Sequence, residues 1–394
     1  QRQMCIRDST SSWLDNLKLR LGFGVTGNSA VDPYSTLGKI RSILIPFSDG
    51  NYTAYTTNEP FYAKESLEMA NPELGWEKTT QINLGVDFGF LNNRISGSLD
   101  AYWSNTNDLL MQTSIPTLTG FSSTYANIGK TKNRGVELTL NFIPIQTNTG
   151  FLWDSNFNVA WQKDEIVELA YGKNDMVANS WFIGESIGVY YGYDKVGLWQ
   201  DTPEDRAEME LFNKNGHKFE PGFVRPVDQN GDHKIDEKDR VILGNKNPAW
   251  TMGWTNTFSW KNIELSLFLI GRMGYMVEAN SYGLTGQGSQ VEVDYWTPEN
   301  TGAEFQKPYY NESGGDAFSS LLGYRKASFL KVRNISLGYN FPQTICKRIG
   351  LNNLKVYAQA INPGSLYQSI DKYDLDVKSS NFNRSFVFGL EIGF

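Results

Sequence analysis

Apolar and polar residues alternate at every second position along most of this chain. Between Gln81 and Phe90, Ile82, Leu84, Val86, Phe88 and Phe90 fall on one face, while Gln81, Asn83, Gly85, Asp87 and Gly89 fall on the other. Period two is the mark of a strand with one buried and one wet face. Leu17, Leu19, Leu21, Phe23 and Val25 repeat it against Lys18, Arg20, Gly22 and Gly24. So do Val136, Leu138, Leu140 and Phe142, and so do Ile335, Leu337, Tyr339 and Phe341. Two further stretches are mainly aromatic: Trp153, Phe157, Val159 and Trp161, then Trp250, Met252, Trp254, Phe258 and Trp260. The pattern predicts ten strands, near 16–27, 79–90, 95–109, 134–145, 150–163, 249–260, 263–276, 328–341, 351–361 and 383–394.

The connections are as informative. Asn92-Asn93, Thr147 to Gly150 and Lys261-Asn262 are tight polar turns. The stretch 342–350 is also short and predicts one helical turn. Between these lie long connections, at 28–78, 110–133, 164–248, 277–327 and 362–382. Strict alternation of short and long is the layout of a membrane β-barrel, with turns at the periplasmic rim and loops outside. Ten strands that start outward and end inward put every tight turn on the same side. A soluble sandwich also alternates in hydropathy, but its loops are usually short at both ends. The polar face here is rich in Gly, Ser and Asn, which suits a hydrated lumen.

Composition sharpens this reading. Aromatics make up 14% of the 394 residues, yet mean hydropathy is only -0.42. No apolar run approaches the ~18 residues of a membrane helix, which excludes helical membrane proteins and says nothing against a barrel. The net charge of -7, with cations scattered singly, gives no footprint for nucleic acid. Two cysteines, Cys5 and Cys346, are too few for a disulfide framework. Residues 1–9 fit no strand pattern and read as a foreign leader, so the fold is expected to occupy 10–394.

The chain ends on Phe386, Phe388, Leu390, Ile392 and Phe394, all on one face of the last strand. An amphipathic final strand closed by an aromatic residue resembles the signal read by the outer-membrane barrel assembly machinery. The alternative is the ordinary last strand of a soluble sheet.

Four segments resemble the SusC/RagA family of TonB-dependent outer-membrane transporters. They are Leu17 to Asn28 (LKLRLGFGVTGN), Asn71 to Thr80 (NPELGWEKTT), Asn127 to Lys130 leading into Asn133 to Glu137 (NIGK, NRGVE), and Arg333 to Pro342 (RNISLGYNFP). They occur in family order across residues 13–394. The resemblance implies an all-β antiparallel transmembrane barrel of about 22 strands, of which this chain holds roughly the last ten, with long outer loops. It implies import of oligosaccharides or peptides, a SusD-like surface lipoprotein as lid, and energy from TonB through an amino-terminal plug. The plug and first strands are not in this sequence, so the chain by itself is expected not to transport. Asn362 to Tyr367 matches the family loosely. The alternative to an importer is a secreted or surface β-rich carbohydrate-binding module.

Three motifs could carry chemistry. Asp228-Gln-Asn230-Gly-Asp232-His-Lys234-Ile-Asp236-Glu-Lys-Asp239 spaces side-chain oxygens at loop positions 1, 3, 5, 9 and 12, with a backbone carbonyl from Lys234 at 7. Ca²⁺ takes six to eight oxygens on such a loop, and the sequence is closer to a dockerin-type loop than to an EF-hand. The alternative is a turn closed by its own side-chain-to-backbone bonds. Gly184-Glu-Ser186-Ile-Gly188 matches the nucleophile-elbow pattern, but no βαβ unit surrounds it, and no enzyme is expected. The acids Asp201, Glu204, Asp205, Glu208 and Glu210 read as a solvated helix. Finally, Trp181, Tyr190, Tyr191, Tyr193, Trp199, Trp296, Tyr309 and Tyr310 lie in the expected outer loops. They either stack on a substrate or partner, or pack the loops against one another. Trp103, Trp153 and Trp260 sit near strand ends, where girdle aromatics meet the membrane interface.

Overall fold

The computed structural model describes residues 2–5, 13–29, 41–46, 52–57, 68–116, 118, 121, 123–279, 292–308, 315–378 and 383–394. In chain order the elements are β1 (Arg2–Cys5), β2 (Leu14–Asn28), β3 (Arg41–Pro46), β4 (Tyr52–Thr57), β5 (Glu68–Met69), β6 (Glu77–Phe90), β7 (Ile95–Ser114), β8 (Ser123–Gln146) and β9 (Phe151–Glu168). Then follow β10 (Val189–Tyr193), β11 (Lys195–Leu198), α1 (Pro203–Lys214), β12 (Val224–Pro226), β13 (Arg240–Asn245), β14 (Trp250–Trp260), β15 (Ile263–Glu278), β16 (Tyr324–Asn340), α2 (Gln343–Arg348), β17 (Asn353–Gln368) and β18 (Ser385–Gly393).

All ten expected strands form, and they pair in one antiparallel wall in the order β2-β6-β7-β8-β9-β14-β15-β16-β17-β18. The inner turns bend where the sequence allows it. Leu91, Asn92 and Asn93 all take left-handed φ values of 56–58°, a region Asn enters more readily than most residues. α2 is the short helix expected between β16 and β17.

Two elements differ from expectation. Most wall strands run past their alternating segments at the outer end, while β14 and β18 are slightly shorter than expected. β8 begins at Ser123 instead of near 134, and β17 runs to Gln368 instead of 361. Outside lipid a strand needs no apolar face, so its ladder continues after the hydropathy pattern has stopped. In addition, Arg2–Cys5 forms a short strand along β2, with Arg2 opposite Leu21.

One face of the wall is apolar and uncovered. Phe23 is 72% exposed, Phe388 81% and Phe394 89%, and Leu21, Leu84, Leu99, Trp254, Leu265 and Leu337 are exposed at 37–59%. Trp250 and Trp260, ten residues apart at the two ends of β14, bracket this face. At ~3.4 Å per residue that is about 34 Å along the strand. Tilted by ~40°, it spans about 26 Å, close to the apolar band of an outer-membrane barrel. No helix among the described residues is long and apolar enough to cross a membrane.

The opposite face is polar and holds its charges in pairs. Arg20 Nη2 lies 2.8 Å from both Asp87 Oδ1 and Asp100 Oδ1. Arg20 and Asp100 sit on β2 and β7, with Gly85 of β6 between them. A Cβ on Gly85 would come within 2.8 Å of the Arg20 guanidinium, so the glycine is what lets the ion pair span a strand. Tyr102 lies over Gly135 and Tyr357 over Gly389 in the same manner. The glycine content of the inward face is therefore space for neighbouring side chains, as in aromatic cover of sheet glycines.

Candidate functional site

Above the outer rim, the two long connections fold into one body. α1 starts at Thr202, whose hydroxyl accepts from Asp205 N, followed by Pro203 and two acids in the first turn. This is a strong helix-start signal. Met209 and Phe212 on its inner side join Trp199, Phe219, Phe223 and Ile235 in a core cluster. A second cluster, of Val224, Phe305, Leu321 and Leu322, draws on both connections. Gln200 stitches them together: its Nε2 donates to Thr301 O at 3.1 Å and its Oε1 accepts from Trp296 Nε1 at 3.0 Å. Asp316 accepts from Val224 N at 2.7 Å and from Phe318 N at 2.9 Å. Burial pushes the Asp316 carboxyl up, against those two bonds.

The loop aromatics mostly serve this body. Trp199 is 0% exposed and Trp296 6%, so neither offers a face to a ligand. Here packing prevails over contact, because large flat rings are what fill a loop core. Tyr191 packs on Phe182 and Tyr193 on Phe318, with Arg240 over the Tyr193 ring. Tyr190 lies between Tyr324 and Lys246. Trp181 is half-buried and closes the turn at Val177–Asn179 through a bridge to Met176. Tyr309 and Tyr310 lie outside the described residues.

The Asp228–Asp239 loop closes on itself. Asp228 accepts from Gly231 N and His233 N, Asn230 Oδ1 from Asp232 N, and Asp232 Oδ1 from Lys234 N. Asp239, 0% exposed, accepts from Gln229 N and Asp236 N and forms a capping box with Asp236. The Lys238 amide holds the Asp236 carboxyl below its usual range. No group of three or more His, Cys, Asp or Glu among the described residues is placed to hold a metal. His217 ties the loop to α1: its Nε2 accepts from Ile235 N at 3.0 Å and its ring stacks on Phe219.

Ser186 is buried, and its hydroxyl donates to Asp164 Oδ1 at 2.6 Å. Asp164 Oδ2 also accepts from Ile187 N. The serine is thus fastened to a carboxylate at the end of β9, while His217 is engaged by Ile235, so no serine–histidine pair forms there. The acids 201–210 fall on and beside α1, where Asp205 and Glu208 pair with Arg225.

Sequence reasoning missed the charged latch inside the mouth. The segment before β18 folds against the inward face of β15 and β16, where Ile370, Tyr373 and Leu375 pack with Tyr275, Val277 and Phe329. Lys331 Nζ donates to Asp374 Oδ2 at 2.6 Å, with both groups almost fully buried. Asp376 pairs with Arg333 and Arg272 beside them.

The four terminal aromatic or apolar positions Phe386, Phe388, Leu390 and Ile392 are 42–81% exposed on the outer face of β18, with Phe394 just beyond it. Their alternation is that of the whole lipid-facing wall.

Comparison with known proteins agrees with this architecture. The family model described as TonB dependent receptor-like, beta-barrel, matches residues 11–362. TonB-dependent receptor SusC of Bacteroides thetaiotaomicron is 31% identical over 402 residues, covering 97% of this chain and 38% of that protein. TonB-dependent receptor P3 of Formosa agariphila is 30% identical over 371 residues, covering 89% and 35%. The chain thus spans well under half the length of these relatives. In fold, the RagAB peptide importer in its open-open state superposes with a TM-score of 0.75 at 23% identity, covering 100% of this chain and 42% of that one. With ten wall strands, an uncovered apolar face and these relatives together, the chain belongs to the TonB-dependent receptor β-barrel family, alongside SusC/RagA members, and is a protein of the bacterial outer membrane.

Proposed function

We propose that this chain is the carboxy-terminal wall and outer mouth of a TonB-dependent transporter that imports oligosaccharides or peptides. The observation that carries it is the two-sided wall: an exposed apolar face on ten consecutive strands, a polar inward face, and a structured loop body at one end. A hydrated lumen behind a lipid-facing surface is what a solute path through a membrane requires. SusC and the RagAB importer, which resemble this chain, support the importer class. A SusD-like lipoprotein over the loop body, TonB acting through a plug, and handling of the β18 aromatics by the barrel assembly machinery belong to the same proposal. Calcium held by Asp228, Asn230, Asp232, the Lys234 carbonyl, Asp236 and Asp239 is a separate proposal.

A secreted carbohydrate-binding module is disfavoured, because the apolar face would then lie in water, far beyond the patch size a soluble monomer carries. Expression of the full-length protein with cell fractionation tests the choice. Outer-membrane recovery, heat-modifiable gel migration and loss of oligomer uptake on deletion support the importer. A water-soluble, cooperatively folding monomer would overturn it.

A further inference from the structure

We propose that the cavity between the two long outer connections and the outer end of β16 binds an oxyanion, a carboxylate or sulfate, carried by an incoming oligomer. As a substrate subsite it rests on the import reading above.

The cavity encloses about 850 Å³, within the range of small-molecule sites. Four cations line it, Lys195, Arg225, Arg325 and Lys326, against two carboxylates, Asp205 and Glu304. Among the lining residues that is an excess of two positive charges (four minus two), or of one once Glu208, 2.6 Å from Arg225, is counted, in a chain whose net charge is -7. The acids are already engaged: Asp205 with Arg225, and Glu304 with Arg325. Lys195 is the telling group. Its Nζ donates to Leu321 O at 2.7 Å and Tyr324 O at 2.9 Å. Both partners are neutral carbonyls, and among the described residues the charge meets no carboxylate within ion-pair distance. An ammonium has three donors, which leaves one for a ligand. Burial and the nearby Arg325 push the Lys195 ammonium down, with Asp194 opposing them to a lesser degree. Like charges held together in a partly dry site are costly unless an anion completes them. Lys326, on the same strand as Arg325, is exposed and makes no ion pair with the described residues. A single oxyanion in the cavity would take the spare Lys195 donor and neutralise the excess charge.

The test is equilibrium binding by the full-length protein in detergent, with labelled trigalacturonate, triglutamate and neutral maltotriose as probes, at low and high salt. The expected result is that at least one carboxylate-bearing probe binds ~10-fold or more tighter than maltotriose, a difference of about 1.4 kcal/mol. The preference should shrink with salt and vanish in Lys326→Glu, which alters an exposed side chain; Lys195→Met should weaken it in the same direction. Preference for trigalacturonate alone identifies an acidic glycan as the source, and preference for triglutamate alone an acidic peptide. Equal binding of all three probes, binding of none, or parent-like preference in Lys326→Glu would overturn the proposal. Heat-modifiable migration of the same sample separates the two readings. A folded barrel that ignores charge removes only the oxyanion site. Charge preference without a barrel keeps the site and removes the importer.

Discussion

Ser155 and Asn256 face each other on β9 and β14, on the lipid side of the wall, and satisfy each other there. The Ser155 hydroxyl donates to Asn256 Oδ1 at 2.9 Å, and the same oxygen accepts from Trp153 Nε1 at 3.0 Å. Trp254 Nε1 in turn donates to Ser155 Oγ at 2.9 Å. The two polar side chains interrupt an otherwise apolar face, yet they are 1% and 4% exposed because indole rings cover them. Hydrocarbon offers no replacement partner, so each group depends on the others. Asn256→Leu should therefore destabilise the barrel by about 1–3 kcal/mol, read by urea unfolding in liposomes. Ser155→Ala/Asn256→Leu together should cost less than the sum of the two single changes. Strictly additive losses would mean the network is not coupled.

The assignment of faces is tested by charge. Leu265→Arg places a guanidinium on the outer face of β15 and should cost about 2–4 kcal/mol or block assembly. Ser266→Arg, one residue along on the inward face, should leave heat-modifiable folding intact. Equal damage from both would reverse or erase the inside–outside distinction.

The wall was legible because lipid and water impose period two on the residues between them. Every strand showed through Ile82, Leu84 and Val86 or their counterparts, and every inner turn through its Asn or Gly. That legibility stops where the lipid stops. Residues 123–133 of β8 carry no alternating face, since beyond the lipid nothing imposes one. The loop body was opaque for a different reason. β10 to β13 are short and bulged, and pairs such as Tyr190 with Gly244 depend on a fold that no local pattern encodes. The acids beside α1 read correctly as a helix because capping is local. Trp199 and Trp296 left contact and packing both open, because a sequence shows an aromatic residue without showing what surrounds it.

His217 makes the loop body sensitive to acid. Burial, and to a lesser degree Lys234, hold its imidazole below the ordinary 6.5, and its neutral Nε2 accepts the Ile235 amide. The folded loop therefore binds fewer protons than the unfolded one around that pH. Its contribution to stability is fully present above about 6.5 and is lost as pH falls below it. Protection of the Ile235 amide from hydrogen exchange should fall relative to amides of β14 between pH 7 and 5. An unchanged ratio would remove His217 as the cause.

The Asp228–Asp239 loop separates two kinds of stabilisation. Asp239→Ala removes a buried carboxylate with two amide donors, and should cost about 1–3 kcal/mol locally, seen as faster proteolysis within 228–240. Calcium, if it is a ligand, adds a second dependence: terbium should bind the parent and fail to bind Asp228→Ala/Asp232→Ala. Equal terbium binding by both would remove the cation and leave the hydrogen-bonded loop as the whole account.

Lys331 and Asp374 predict an asymmetry between single and paired substitutions. Their ammonium–carboxylate contact is 2% and 4% exposed at the side chains, so each charge is held out of water by the other. Asp374→Ala leaves a buried ammonium with Asp376 3.7 Å away as its remaining acid, and that acid is already shared with Arg333 and Arg272. Breaking a buried pair in this way typically costs about 3–5 kcal/mol. Lys331→Met/Asp374→Leu removes both charges at similar volume and should be much milder. Because Ile370, Tyr373 and Leu375 pack around the pair, the damage should appear as release of residues 369–376 from β15 and β16 while the wall stays folded. Limited proteolysis of that segment, beside unchanged heat-modifiable migration, is the expected outcome for Asp374→Ala. If the double variant releases the segment as readily as the single one, the latch is held by charge attraction and not by apolar packing with a satisfied pair inside it.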